Sequence, residues 1–124
     1  MGSDTKFVAL RFLNEFGNEM KPDVLYEIAH PDFMMYDNSQ QPRNLEEEVE
    51  VAREAYKVWS SMDYTVEDIV EEGERVAIRW KWKGRMLGEP APEFSLNGIW
   101  FFELEDGLIK TLWSSWDESI FGDS

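Results

Sequence analysis

The sequence predicts a single α+β domain spanning residues 1–124, with helices first and an antiparallel meander last. Apolar residues fall at helical spacing in the first half: Phe7, Leu10, Leu13 and Phe16, then Leu45, Val49, Ala52, Tyr56 and Trp59. The second half alternates, most plainly over Arg75–Lys83, where Val76, Ile78, Trp80 and Trp82 share a face. Turn signals at Glu72-Gly73 and Glu105-Asp106-Gly107 separate the alternating runs. A curved antiparallel sheet with three N-terminal helices on its inner side encloses a cone-shaped hollow, a natural small-molecule site.

The first helix runs from Asp4, a plausible N-cap, to a stop at Gly17-Asn18. Pro22 opens a short second helix carrying Val24, Leu25 and Ile28, which ends before Pro31. Phe33 to Tyr36 is a short strand, and Asn38 to Arg43 a polar loop. Asn44 and Glu47 have capping-box spacing at the head of the third helix, whose stripe reaches Trp59. The acidic run Glu46, Glu47, Glu48 and Glu50 suits the helix dipole and reads as a solvated face. Strands follow over Asp63–Val70, with Tyr64, Val66, Asp68 and Val70 on one side, then over Arg75–Lys83, Phe94–Leu104 and Leu108–Trp116. Gly84 to Pro92 is the loop between the second and third of these.

Composition narrows the function. Twelve Lys and Arg against 26 Asp and Glu give a net charge of −14, which repels phosphate backbones and anionic lipid. The charge favours a neutral or cationic small ligand over nucleic acid or a membrane, and the partner expected is a small apolar molecule. No apolar run reaches membrane-spanning length, and no signal peptide is evident; a cytoplasmic location is the expectation. The chain has no cysteine and one histidine, His30, so neither a thiolate site nor a three-histidine zinc site forms within it. No phosphate loop, nucleophile elbow or metal-ligand spacing appears, and neither metal nor cofactor is expected.

Several stretches resemble the SnoaL-like polyketide cyclase group of the nuclear-transport-factor-two-like superfamily. They are His30-Pro31-Asp32-Phe33, Arg75 to Trp80 leading to Gly84 and Gly88-Glu89, Gly98 to Phe102, and Glu105 to Lys110 followed by Trp113 and Asp117. The resemblance spans Phe7 to Phe121. It implies a cystatin-like α+β barrel that dimerises through its outer sheet face. It also implies an aspartate on the last strand as acid/base in an aldol closure, matched here by Asp117. The histidine often found on the preceding strand has no counterpart; Asn97, Trp100 or Glu103 occupies that region. The limonene-epoxide-hydrolase group is similar at Tyr36-Asp37-Asn38, Arg79 and Asp117, but its other aspartate falls on Lys81, leaving that triad incomplete.

The candidate site follows. Asp117, flanked by Trp113 and Trp116, is either the catalytic acid/base, desolvated by the rings, or an exposed aspartate at a strand terminus. Arg79 either pairs with Asp117 or Asp32 across the hollow or forms an outward structural ion pair. Tyr36 and Asn38 share a parity and either point inward to bind a substrate oxygen or belong to the loop. Asn97 is a further orienting group. His30 either titrates near neutrality or serves a helix end, and Asp32 follows it towards the pocket mouth. Trp82, Trp100 and Trp113 either wall a pocket for a flat ligand or fill core and interface. The expected activity is cofactor-independent cyclisation, isomerisation or dehydration of an apolar carbonyl compound. The alternative is a non-catalytic ligand-binding or interaction domain. Apolar residues on both sheet faces predict a homodimer.

Overall fold

A curved, unclosed sheet of six strands carries the helices on one face in the computed structural model, which describes residues 2–38 and 40–117 and side chains from residue 5 onward. Helix α1 (Gly2–Arg11) continues without a break into wider π-type turns over Phe12–Asn18. It begins ahead of Asp4, whose side chain lies outside the described residues. Ala9, Phe12, Leu13 and Phe16 are buried, while Phe7 is 64% exposed. Spacing by threes drifts about 60° per step around a helix of 3.6 residues per turn, so Phe7 leaves the face that Phe16 occupies. The left-handed residue after the helix is Met20 (φ 53) rather than Gly17 or Asn18. Gly17 has another reason to lack a side chain: a Cβ there would sit 2.8 Å from Cε2 of Tyr64.

A 3-10 turn over Pro22–Val24 leads into α2 (Leu25–Ile28), and β1 (Ala29–Asp37) starts at once. His30 and Pro31 therefore lie in a strand, whose register is irregular between Ala29 and Met34, where proline cannot donate to a ladder. Two-residue β2 (Arg43–Asn44) pairs with β1 and runs into α3 (Leu45–Tyr56). The capping box is formed: Glu47 N–H donates to Asn44 Oδ1 at 2.9 Å and Asn44 N–H to Glu47 Oε1 at 2.8 Å. Trp59 opens β3 (Trp59–Glu72) instead of closing the helix. A register shift between Val66 and Asp68 turns Ile69 inward and puts Asp68 and Val70 outside, contrary to unbroken alternation.

The meander continues as β4 (Arg75–Met86), β5 (Glu93–Glu105) and β6 (Leu108–Asp117). Strand order is β2-β1-β6-β5-β4-β3. Every neighbouring pair is antiparallel except β1 with β6, which run parallel, so the sheet is mixed rather than wholly antiparallel. A parallel pair needs a long crossover, here the whole chain from α3 to β5. Val76, Ile78, Trp80, Trp82, Trp100, Phe102 and Leu112 form the inner face and are buried against Phe12, Leu13, Phe16, Leu25, Ile28 and Val49. Phe12 meets Trp100 edge-on, with centroids 4.9 Å apart at 82°.

The indole of Trp80 lies over Gly98 of β5, its cross-strand partner, where any Cβ would collide with the ring. Gly98→Ala is expected to cost about 1–3 kcal/mol through overpacking. Urea unfolding of G98A with an unshifted midpoint would contradict this packing.

Candidate functional site

Along β1 the buried alternation Phe33, Met35 continues to Asp37, which brings a carboxylate into the hollow. Glu48 lies on the inward stripe of α3 beside Val49 and Ala52 and is buried with them. Arg43, from β2, sits between the two acids. Its Nε donates to Glu48 Oε1 at 2.5 Å, and its Nη2 lies 3.4 Å from Asp37 Oδ2. The Trp116 indole N–H donates to the other Asp37 oxygen at 2.8 Å. These groups border a cavity of ≈ 330 Å³ walled by Phe12, Phe16, Tyr56, Tyr64, Trp80, Trp100 and Trp116, with Ser114 on its floor. An open, apolar depression of ≈ 240 Å³, lined by Trp59, Trp82, Met86 and Phe94, shares Leu96 and Trp116 with it.

Burial raises the Glu48 carboxyl above the ordinary range; Arg43 offsets part of this, and the Asp37 charge adds to it. Burial likewise raises Tyr56 and Tyr64, so both phenols stay protonated. Tyr56 O–H donates to the Phe16 carbonyl at 2.5 Å. The cavity thus combines a hydrophobic wall, a fixed cation and a carboxyl whose proton affinity is shifted towards neutrality. That combination suits general acid/base chemistry on an apolar substrate.

The residues singled out by sequence lie mainly elsewhere. Asp117 pairs in register with Asn97, and Asn97 with Lys81, on the outer face, and Asp117 is exposed. The inward Asp117 expected from the resemblance is corrected by parity: on β6 the inward positions are Leu112, Ser114 and Trp116. Arg79 is also outside, paired with Asp68 across β3 and β4. Arg79, Asn97 and Asp117 do come together, but around a shallow depression of ≈ 290 Å³ on the outer face. Tyr36 points outward as well and stacks on Trp113, with centroids 5.9 Å apart at 17°. Asn38 (φ 49) takes a structural part: its Oδ1 accepts the Trp116 backbone N–H at 2.9 Å, and its Nδ2 donates to the Trp116 carbonyl at 3.4 Å.

His30 and Asp32 sit at the opposite end of β1 from Asp37. His30 Nδ1 accepts the Asp32 N–H at 3.0 Å, and Nε2 lies 3.4 Å from Glu105 Oε2. His30, Glu105 and Asp106 bring ligand atoms within 4.8 Å of one another, the arrangement closest to a metal set among the described residues, and Lys110 already pairs with Glu105 there at 3.0 Å. Of the tryptophans expected on the wall, Trp100 lines the cavity and Trp82 the open depression beside it, while Trp113 stands on the outer face, one step of parity from inward Leu112 and Ser114. Asp37, Arg43, Glu48 and Tyr64 were not among the expected site residues. Two of them left a signal: Asp37 continues the parity of Phe33 and Met35, and Glu48 falls within the Leu45, Val49, Ala52 stripe.

The sequence profile of the SnoaL-like polyketide cyclases matches residues 7–120. The chain belongs to that family. Its fold is shared with a SnoaL-like protein from Jannaschia sp. CCS1 (TM-score 0.82, 20% identity, 98% of this chain and 91% of that one). TsrD from Streptomyces laurentii is similar at 24% identity (TM-score 0.76, 93% and 89%). IdmH from Streptomyces antibioticus is similar at 22% (TM-score 0.78, 93% of both chains). At these identities the likeness is one of fold. Among curated proteins none matches the chain. No helix of the described residues is long and apolar enough to cross a membrane.

The raised Glu48 carboxyl has a signature in stability. Well below pH 4.5, the ordinary glutamate value, the group is protonated whether the chain is folded or not and contributes no pH dependence. As pH rises beyond that, the unfolded chain loses the proton first, so folding is progressively penalised until the raised folded-state pKa is passed. Denaturant titrations are expected to show wild type losing stability relative to Glu48→Gln over that window. A relative gain over the same window would contradict it.

Proposed function

We propose that this SnoaL-like protein is a cofactor-independent acid/base enzyme that isomerises, cyclises or dehydrates an apolar carbonyl compound, with Glu48 as the proton-transfer group. The supporting observation is the buried Asp37–Arg43–Glu48 bridge bordering an aromatic cavity. Glu48 takes a proton from the carbon next to the substrate carbonyl, and the C–H electron pair passes into the enolate. In isomerisation the same carboxylic acid returns the proton to another carbon. In ring closure the enolate carbon attacks a second carbonyl, and the acid protonates the new alkoxide. For dehydration the Glu48 carboxylate so formed removes a further α-hydrogen, the C–H electron pair becomes the C=C bond as the C–O bond breaks, and the proton leaves with the hydroxide as water. Asp37 does not touch the substrate in this scheme. It fixes Arg43 and Trp116, which hold Glu48 and the wall.

Exchange of α-protons for deuterium in 2-acetylnaphthalene, followed by NMR in D2O, tests this without knowledge of the natural substrate. Wild type is expected to accelerate exchange, and Glu48→Gln to slow it by roughly a hundredfold to ten-thousandfold. Asp117→Asn is expected to leave it unchanged. Loss in D117N with retention in E48Q would move the chemistry to the outer depression. No acceleration by wild type would favour the non-catalytic ligand-binding reading.

The outer face supports a second proposal, a homodimer packed through β4, β5 and β6. Ile99 is 50% and Trp113 40% exposed there, beside Tyr36 and Phe101. Adjoining apolar side chains on an open sheet face favour a covering partner. Light scattering at micromolar concentration is expected to give twice 14.6 kDa, and Ile99→Lys to reduce it to the monomer mass. A monomer mass for wild type would rule the dimer out.

A further inference from the structure

Tyr64 is held more tightly than a wall residue needs to be. Its backbone N–H donates to Asn18 Oδ1 at 2.5 Å, and its carbonyl accepts from Asn18 Nδ2 at 3.2 Å. Its ring is wedged between Trp80 (centroids 5.1 Å, 83°) and Trp100 (4.8 Å, 48°), and one edge rests on Gly17, where a methyl group would collide with it. The phenol donates to no described residue, and its oxygen is not among the fully buried side-chain atoms that lack a partner, so it is open to the cavity. It lines the same cavity as Arg43 and Glu48. It keeps its proton, because burial and then the charges of Asp37 and Glu48 oppose ionisation. Tyr56, the neighbouring phenol, is already committed to the Phe16 carbonyl. The cavity therefore contains a rigid, protonated donor with no acceptor among the described residues, and a candidate base lines the same space.

We propose that Tyr64 Oη–H is the hydrogen-bond donor for the ligand's carbonyl oxygen, selecting oxygenated over hydrocarbon ligands and stabilising the enolate oxygen when Glu48 removes the proton. This rests on the reading that the cavity is the ligand site; the selection of oxygen does not require that catalysis occur. A preorganised donor aimed at developing negative charge incurs little reorganisation as the charge forms. Because the ring is fixed by aromatic contacts and by Gly17, Tyr64→Phe removes the donor and keeps the wall.

The test compares 2-acetylnaphthalene with 2-ethylnaphthalene, which has the same shape and no carbonyl, by calorimetric titration into wild type and Y64F. Wild type is expected to prefer the ketone. Y64F should weaken ketone binding by roughly three- to tenfold, the usual worth of one neutral hydrogen bond, and leave the hydrocarbon unchanged. The infrared carbonyl stretch of the bound ketone should lie lower in wild type than in Y64F. Equal losses for both ligands would make Tyr64 a packing residue only. An unchanged ketone affinity and stretch, or failure of the ketone to bind wild type, overturns the proposal. Ketone selection by Tyr64 without α-proton exchange would retain the donor and reject the enzyme reading, so the two fail separately.

Discussion

A single guanidinium joins the helical layer to the sheet at the polar end of the hollow. Arg43 lies between Asp37 of β1 and Glu48 of α3, all three largely shielded from water. Such a bridge contributes little to stability beyond what apolar residues of similar volume would supply, but deleting one member strands the others, at a cost of about 3–5 kcal/mol. The arrangement therefore fixes α3 relative to β1 and keeps the surrounding space from filling with apolar side chains. Trp116 joins the group through its indole N–H, which donates to Asp37. Glu48 and one wall of the cavity thus meet at this bridge.

The rest of the interior is aromatic and packed by edge-to-face contacts, with Phe12 against Trp100 and Trp59 against Trp82. Glycines set its limits. Gly17, Gly84 and Gly98 each face a ring where a side chain would collide. The width of the hollow is thus decided by pairs of one very large and one absent side chain. The indole N–H groups of Trp80 and Trp82 are buried with no acceptor among the described residues, and Tyr64 and Trp59 pack edge-on against these two rings.

Sequence patterns made the architecture legible but not the site. The alternation of β4 and the Asn44–Glu47 cap are local, and local rules describe them. Trp59 continued the α3 stripe only numerically, since the chain had already left the helix. Asp117 was carried by the order of motifs, which conveys position along the chain but not the facing of a strand residue; one step of parity separates it from inward Trp116. Glu48 was hidden inside an acidic run, where its neighbours Glu46 and Glu47 are indeed exposed. The bridge through Arg43 joins residues brought together by tertiary structure, and nothing in the spacing of Asp37, Arg43 and Glu48 announces it. The parallel pairing of β1 with β6 is equally invisible to local reading.

Asn38 imitates one more residue of β1: its side-chain amide pairs with both backbone groups of Trp116, and its own N–H donates to the Ser114 carbonyl at 2.8 Å. The strand is thereby finished by a side chain before the chain departs towards Arg43. The connection that follows is tied in turn to the bridge: Gln40 N–H donates to the Asp37 carbonyl at 2.9 Å, and its Oε1 accepts from Arg43 Nη1 at 3.2 Å. Adjacent stretches of chain thus serve different neighbours: Asn38 holds the end of β6, and Gln40 holds the guanidinium.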